Sequence, residues 1–124
     1  MSMKYTESHE WVNVQEKKGR VGITRHAQKE LGEVVYLQLP KVGDELKVGQ
    51  EAAVLESTKA AIDVYSPVSG TVVAVNKALE GDISLINNEP EKGGWLYEVE
   101  LSSVAELELL LEQAAYQALV TLSP

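Results

Sequence analysis

The composition of the chain limits the classes of protein to which it can belong. The chain has 124 residues, no cysteine and a formal net charge of −8, from 11 Lys and Arg and 19 Asp and Glu. This length fits one domain, and we expect a single domain over residues 1–124. The lack of cysteine excludes disulfides, thiolate zinc sites and cysteine nucleophiles. The acidic balance argues against nucleic acid as a partner, because phosphate binding needs a basic surface.

The hydropathy pattern argues against a membrane protein. The most apolar stretch, "LELLLEQAAYQALV", is interrupted by charge and is too short to span a bilayer. We expect a soluble, monomeric protein that meets other proteins with basic faces. Its expected location is the bacterial cytoplasm, or the mitochondrial matrix for a mature eukaryotic form.

Short strands separated by turns are predicted along most of the chain. "EWVNVQ" alternates in polarity, and "KKGRV" offers a turn at Gly19. "TRHAQKELG" predicts a two-turn helix, with Thr24 as its N-cap and Gly32 just past its end. Further strands are predicted in "EVVYLQLP", "GTVVAVN" and "GGWLYEVEL". These elements predict a mostly β fold, a sandwich or flattened barrel.

The C-terminal segment has a helical pattern instead. Ser103 followed by Glu106 has the spacing of a capping box. Apolar residues then recur at helical spacing, at Val104, Leu107, Leu111, Ala114 and Ala118. This pattern predicts a helix from about residue 103 to 118, with the apolar face packed on the sheets.

The stretch "AVLESTKAAIDVYSPVSG", residues 53–70, contains a single lysine, Lys59. Residues 51–65 predict a hairpin with Thr58 and Lys59 at its tip. Alternation along its arms predicts one face made of Ala53, Leu55, Ser57, Ile62 and Val64, and an opposite face made of Ala52, Val54, Glu56, Asp63 and Tyr65. The tip has none of the residues that two-residue turns favour, so turn chemistry alone does not place it at Lys59.

Three roles for Lys59 are open at this point. It could be an ordinary surface lysine, a Schiff-base nucleophile or the attachment point of a group loaded by another enzyme. A Schiff-base lysine needs a buried or cation-flanked amine, whereas Glu56 and Asp63 favour the protonated form. An attachment point needs only exposure and a rigid support. The residues therefore favour attachment over catalysis.

Several segments in the right order and spacing resemble the H proteins of the glycine cleavage system. They are "YTESHEWV", "VGIT", "AQKELGEVVYLQLPKVGDELKVGQ", "ESTKAAIDVYSPVSG", "LIN" and "GGWL". The lysine motif with "SPVSG" alone would indicate only a lipoyl-type carrier. "SHEW" and "GGWL" separate H proteins from the lipoyl domains of 2-oxoacid dehydrogenases. The resemblance implies a lipoyl-domain-like flattened β-barrel or sandwich with a short internal helix and a C-terminal helix.

The resemblance also implies a function, that of a carrier rather than an enzyme. Lys59 would carry lipoate in an amide bond. The lipoate ring disulfide would accept the aminomethyl group of glycine from glycine decarboxylase, a pyridoxal-phosphate enzyme. A tetrahydrofolate-dependent aminomethyltransferase would then take the one-carbon unit, and dihydrolipoyl dehydrogenase would reoxidise the dithiol. A lipoylating enzyme is the fourth implied partner.

The same resemblance implies roles for the residues around the lysine. Ser8, Glu10 and Asp63 match the polar groups of a cleft that shelters the loaded arm. A carboxylate there can accept a charge-assisted hydrogen bond from the primary ammonium of the loaded arm. Glu56 is implied in recognition by the lipoylating enzyme.

Other positions depart from the family pattern or offer other chemistry. Arg25 stands where an acid is common, and Glu30 stands where a histidine can occur. His9 and His26, the two histidines, are widely separated in the chain and lack a clear set of carboxylates. We therefore expect no metal site.

Alternative functions remain open from the sequence. The protein could hold lipoate for other lipoate-dependent proteins without glycine cleavage, because both tasks need the same lysine. A biotinyl carrier uses a similar hairpin but usually has methionines beside the lysine, where this chain has Thr58 and Ala60. An enzyme is disfavoured, since no nucleophile–base pair or glycine-rich cofactor loop is apparent. An unmodified interaction module would leave Lys59 without a role.

Overall fold

A computed structural model describes residues 2–122 of the protein and is mostly β. The strands are β1 Ser2–Tyr5, β2 Glu10–Gln15, β3 Lys18–Ile23, β4 Val34–Gln38, β5 Glu45–Leu46, β6 Glu51–Ser57, β7 Ala61–Tyr65, β8 Gly70–Val75 and β9 Tyr97–Leu101. The helices are α1 Arg25–Leu31, α2 Ala78–Gly81, α3 Ser84–Asn88, a 3-10 helix Val104–Leu109 and α4 Gln113–Leu122. The two ends of the predicted 1–124 domain lie outside the described residues. Within those residues, no helix is both long enough and apolar enough to cross a bilayer.

The strands form two antiparallel sheets that share one core. The larger sheet has the order β1-β2-β3-β9-β8-β5, and the smaller has the order β4-β6-β7. Val12, Val21 and Val99 of the larger sheet meet Leu55 and Val64 of the smaller sheet in a single buried cluster. The predicted fold class is confirmed: two packed sheets, a short internal helix and a C-terminal helix.

The hairpin of β6 and β7 has the predicted faces. Leu55 pairs with Ile62 across the two strands, and Val54 pairs with Asp63. Leu55 and Val64 are fully buried, whereas Asp63 is exposed. Because one face of the hairpin packs into the core, its register and direction are fixed. The hairpin is therefore a rigid support for its tip.

Helix α1 begins and ends where the sequence predicts. The Oγ1 of Thr24 accepts a hydrogen bond from the Ala27 N–H at 3.2 Å, which caps the first turn. Gly32 ends the helix at φ 91° and ψ −163°, and its N–H donates to the Gln28 carbonyl. That backbone region is essentially restricted to glycine, which explains the residue at this position.

The prediction of a turn at Gly19 is wrong. The chain turns at Glu16 and Lys17, and Gly19 lies within β3. A Cβ at Gly19 would lie 2.7 Å from Cγ2 of Val12, so close packing accounts for this glycine. The turn is made instead by Glu16, which has a φ of 59°.

The prediction of a single helix over residues 103–118 is also wrong. The segment divides into the 3-10 helix and α4, and Leu111 between them pairs with Tyr5 through two 2.8 Å backbone hydrogen bonds. Glu106 does not complete a capping box, because its carboxylate accepts hydrogen bonds from the N–H and hydroxyl of Ser69. Tyr116 of α4 is buried, whereas the predicted inward residues Ala114 and Ala118 are exposed.

Candidate functional site

Lys59 lies at the exposed tip between β6 and β7. The hydroxyl of Ser57 accepts hydrogen bonds from the N–H groups of Lys59 and Ala60, at 3.2 and 3.1 Å. The Ser57 N–H donates to the Ala60 carbonyl at 2.8 Å and closes the turn. Serine side chains can stabilise turns in this way, and so the turn needs no glycine or asparagine. The tip lies where the alternation of the hairpin predicted it, but the role of Ser57 was not predicted.

The stem of Lys59 lies against the end of α1. A Cβ placed on Gly32 would lie 3.1 Å from Cε and 3.8 Å from Nζ of Lys59. The missing side chain at Gly32 thus leaves space for the lysine stem. No ion pair of Lys59 is present in the part of the chain that the structure describes.

A pocket of about 430 Å³ lies between the unpaired edge of β7, helix α1 and the segment before β2. It is lined by Ser8, His9, Glu10, Ala27, Glu30, Leu31, Ala60, Ile62, Asp63 and Tyr65. The structure thus brings together Ser8, Glu10 and Asp63, which the resemblance implied from two distant segments. Glu56, the other predicted acid, does not line the pocket.

Glu10 is a buried carboxylate with internal hydrogen-bond partners, and only 3% of it is exposed. Its Oε1 accepts hydrogen bonds of 2.6 Å from both Thr6 and Ser8, and its Oε2 accepts one of 3.2 Å from the Tyr65 N–H. Burial raises the pKa of Glu10, and these hydrogen bonds oppose the rise only in part. Glu10 therefore ties β7 to the start of β2 and fixes one wall of the pocket. The role of Thr6, four residues before Glu10, was not predicted.

Asp63 contrasts with Glu10 in its availability. Its side chain is exposed and makes no hydrogen bond or ion pair with any residue between 2 and 122. Ser8 is also exposed; its hydroxyl donates to Glu10 and lies 3.3 Å from the Thr6 hydroxyl, and its oxygen keeps a lone pair that can accept. The pocket thus offers the unpaired carboxylate of Asp63 and the hydroxyl oxygen of Ser8 as acceptors.

The two histidines, expected to be far apart, lie side by side. The ring centroids of His9 and His26 are 4.5 Å apart, and Nε2 of His26 contacts Oε1 of Glu30 one helical turn further along α1. Nδ1 of His9 lies 2.8 Å from the Tyr116 hydroxyl, which lies 2.7 Å from Oγ1 of Thr24. The expectation of no metal site rested on the separation of the two histidines along the chain. That separation does not persist in space, because β2 and β3 pair as a hairpin and bring His9 next to the start of α1.

Burial is the main cause that lowers the pKa of His9. The neighbouring His26 lowers it further, and Glu30 acts in the opposite direction. His9 is therefore predominantly neutral at neutral pH, with one ring nitrogen available as an acceptor or ligand.

Arg25 has a structural contact at the position where the sequence departs from the family pattern. Its guanidinium donates hydrogen bonds of 2.7 Å to the backbone carbonyls of Asn87 and Asn88, at the end of α3. A cation at a helix C-terminus is favourable, so Arg25 links the start of α1 to α3.

Comparisons with known proteins agree with the geometry. The family model described as glycine cleavage H-protein matches residues 3–122. The glycine cleavage system H protein of Thermotoga maritima is 54% identical over 114 residues, which cover 92% of each chain. That of Alcanivorax borkumensis is 48% identical over 116 residues, covering 94% of this chain and 91% of the relative.

A solved structure shows the same fold. The crystal structure of a glycine cleavage system H protein from Mycobacterium marinum superimposes with a TM-score of 0.88 at 36% identity, covering 98% of each chain. Sequence and structure agree over almost the whole length. The chain therefore belongs to the glycine cleavage H-protein family.

Proposed function

We propose that this protein is the lipoyl carrier of a glycine cleavage system, with lipoate joined through an amide bond to Nζ of Lys59. The observation that carries the proposal is an exposed lysine on a rigid hairpin tip beside a pocket with an unpaired carboxylate. Membership in the family supports the same assignment. When attached, lipoate supplies a ring disulfide that accepts the aminomethyl group of glycine and is left as a dithiol for reoxidation.

The pocket fits such a group in both size and chemistry. Its volume of about 430 Å³ falls within the usual range for small-molecule sites. Ala27, Leu31 and Ile62 offer an apolar wall for an alkyl chain, and Ser8 and Asp63 offer polar atoms. A chain tethered at Lys59 stays near the pocket, because tethering raises its effective concentration there.

Asp63 and Glu10 have different roles in the pocket. The unpaired carboxylate of Asp63 binds the cationic amine of the loaded arm through a charge-assisted hydrogen bond. Glu10 is less available for direct contact, since both of its oxygens already accept hydrogen bonds. It holds Ser8 and the Tyr65 backbone in position and adds negative charge to the wall.

Glu56 acts outside the pocket, in recognition by the lipoylating enzyme. It lies on β6 next to the tip and pairs in register with Ala61. An enzyme that modifies Lys59 must approach the hairpin from outside, where Glu56 is half-exposed. The protein itself is a carrier, and glycine decarboxylase, aminomethyltransferase and dihydrolipoyl dehydrogenase receive the arm in turn.

The first test is intact mass with peptide mapping of residues 51–65, on protein purified from its native host. We expect one lipoyl group on Lys59. Lys59→Arg should fold normally and carry no lipoate, whereas Lys41→Arg, in an exposed loop, should be modified like the wild type. An unmodified Lys59, in cells whose other lipoyl proteins are modified, would contradict the proposal.

A second test separates glycine cleavage from the holding of lipoate for other proteins. Lipoylated protein should support release of carbon dioxide from glycine by glycine decarboxylase, and Lys59→Arg should not. A lipoylated protein that gave no release with active decarboxylase would instead favour the role of lipoate donor.

A further inference from the structure

Two histidines and a glutamate converge at the side of the pocket on α1. One ligand atom from each of His9, His26 and Glu30 lies within 4.8 Å of the other two. His26 and Glu30 are one turn apart on α1, so their side chains lie on the same face of the helix. His9 and Glu30 also line the pocket. We propose that these three side chains form a binding site for a divalent transition metal of the zinc class.

The types of ligand suit such an ion. Two imidazoles and one carboxylate are a common donor set for zinc, which takes three protein ligands when a fourth position stays open. Zinc holds these donors at about 2.0–2.2 Å, which places tetrahedral ligands about 3.4 Å apart. A separation of up to 4.8 Å must therefore contract by roughly 1.4 Å. Nε2 of His26 and Oε1 of Glu30 are already in contact and must move apart, so the contraction concerns their distances to His9. The Glu30 side chain, which is 65% exposed, has room to move.

The surroundings of His9 prepare it for this role. Its Nδ1 is occupied by the Tyr116 hydroxyl, so Nε2 is the nitrogen left for the metal. Its backbone has a φ of 73°, an uncommon conformation for a residue other than glycine, and the Thr24 N–H donates to its carbonyl at 3.0 Å. The Tyr116 hydroxyl thus orients the imidazole, and the backbone hydrogen bond holds the residue that carries it.

The pocket gives the ion both a route in and an open coordination position. Because His9 and Glu30 lie on the pocket wall, an ion held between them faces the pocket. The net charge of −8 adds a general attraction for cations. A purely structural role for the three residues, with Glu30 paired to His26 within α1, would bind no ion.

Isothermal titration of zinc chloride into the full chain, untagged and free of lipoate, tests the site. Omitting lipoate removes its sulfur atoms as competing ligands and makes the result independent of the proposed carrier function. We expect one saturable equivalent per chain. Glu30→Gln, at an exposed position, should weaken binding at least tenfold, as should His26→Ala. Glu33→Gln removes the same charge from an exposed residue just after α1 and should bind like the wild type.

Two further measurements locate the ion. The chain has only two histidines, and zinc should shift or broaden the imidazole ring resonances of both. Tyr116→Phe removes the hydroxyl that orients His9 and should weaken zinc binding by about tenfold, provided that circular dichroism shows a folded protein. Absence of saturable binding, or binding that Glu30→Gln and His26→Ala leave unchanged, would overturn the site.

Discussion

Replacing Gly32 by alanine tests the contact between the end of α1 and the lysine stem. Gly32 has φ 91° and ψ −163°, and placing a residue other than glycine there costs about 1–3 kcal/mol. Alanine also lowers the conformational entropy of the unfolded chain, which favours the folded state by about 0.4–1 kcal/mol. The contact of a new Cβ with Cε of Lys59 adds little, because a flexible side chain can move away. Backbone strain is therefore the largest contribution, and it makes the change in the free energy of unfolding destabilising.

We expect Gly32→Ala to lower the free energy of unfolding by about 1–2 kcal/mol and Tm by roughly 4–8 °C. Urea denaturation followed by circular dichroism measures the change. Gly81→Ala is the matched control, because Gly81 lies in α2 with open space around it; that variant should be unchanged or up to about 1 kcal/mol more stable. Lipoylation of Gly32→Ala should remain complete, since the tip stays in solvent. A Gly32→Ala variant within about 0.5 kcal/mol of the wild type would refute the reasoning from backbone strain.

Three further changes test the site and its supports. Asp63→Asn should still be lipoylated, but its aminomethylated form should hydrolyse up to about fivefold faster, because an exposed ion pair contributes up to ~1 kcal/mol; equal lifetimes by mass spectrometry would remove Asp63 from this role. The raised pKa of Glu10 means that the folded state holds its proton to higher pH than the unfolded state. Glu10 should therefore stabilise the fold most below its unfolded pKa and less as the pH rises through its folded pKa. Unfolding measured against pH should lose this slope in Glu10→Gln; an unchanged slope would assign it to other groups. Glu106→Ala removes two hydrogen bonds to Ser69 and should lower the free energy of unfolding by about 1–3 kcal/mol in urea, and no loss would mean that the 3-10 helix is held by other contacts.

Local signals in the sequence were the reliable ones. Helix α1 begins after Thr24 and ends before Gly32 as predicted, because a cap and a helix stop depend on residues within one or two turns. The faces of the hairpin followed from strict alternation, since a strand with one buried face must place every second residue inward. Both predictions rest on contacts between neighbours along the chain.

The errors involve contacts between distant segments. Glu106 has the spacing of a capping box, but Ser69, from another part of the chain, binds its carboxylate instead. Leu111 continues a helical pattern, but Tyr5 pairs with its backbone and interrupts the helix. No local pattern in the sequence marks either partner.

Some features of the candidate site could likewise be predicted from the sequence, and others could not. Lys59 could be placed at the tip from the pattern of its hairpin, whereas its lipoyl role and the cleft residues were named only through the resemblance to a family. Thr6 lies only four residues before Glu10, and its role was missed although the contact is local. The meeting of His9 with His26 had no local signal, because it depends on how β2, β3 and α1 are arranged in space. Such sites become visible only when the topology is known.

The position of the pocket has a consequence for solubility. Strand β7 is an edge strand of the smaller sheet, and an exposed edge is a template for pairing with strands of other molecules. The Glu10 carboxylate occupies the Tyr65 N–H on that edge, and Asp63 adds an exposed charge beside it. The groups that prepare the edge for a ligand therefore also discourage aggregation through β7.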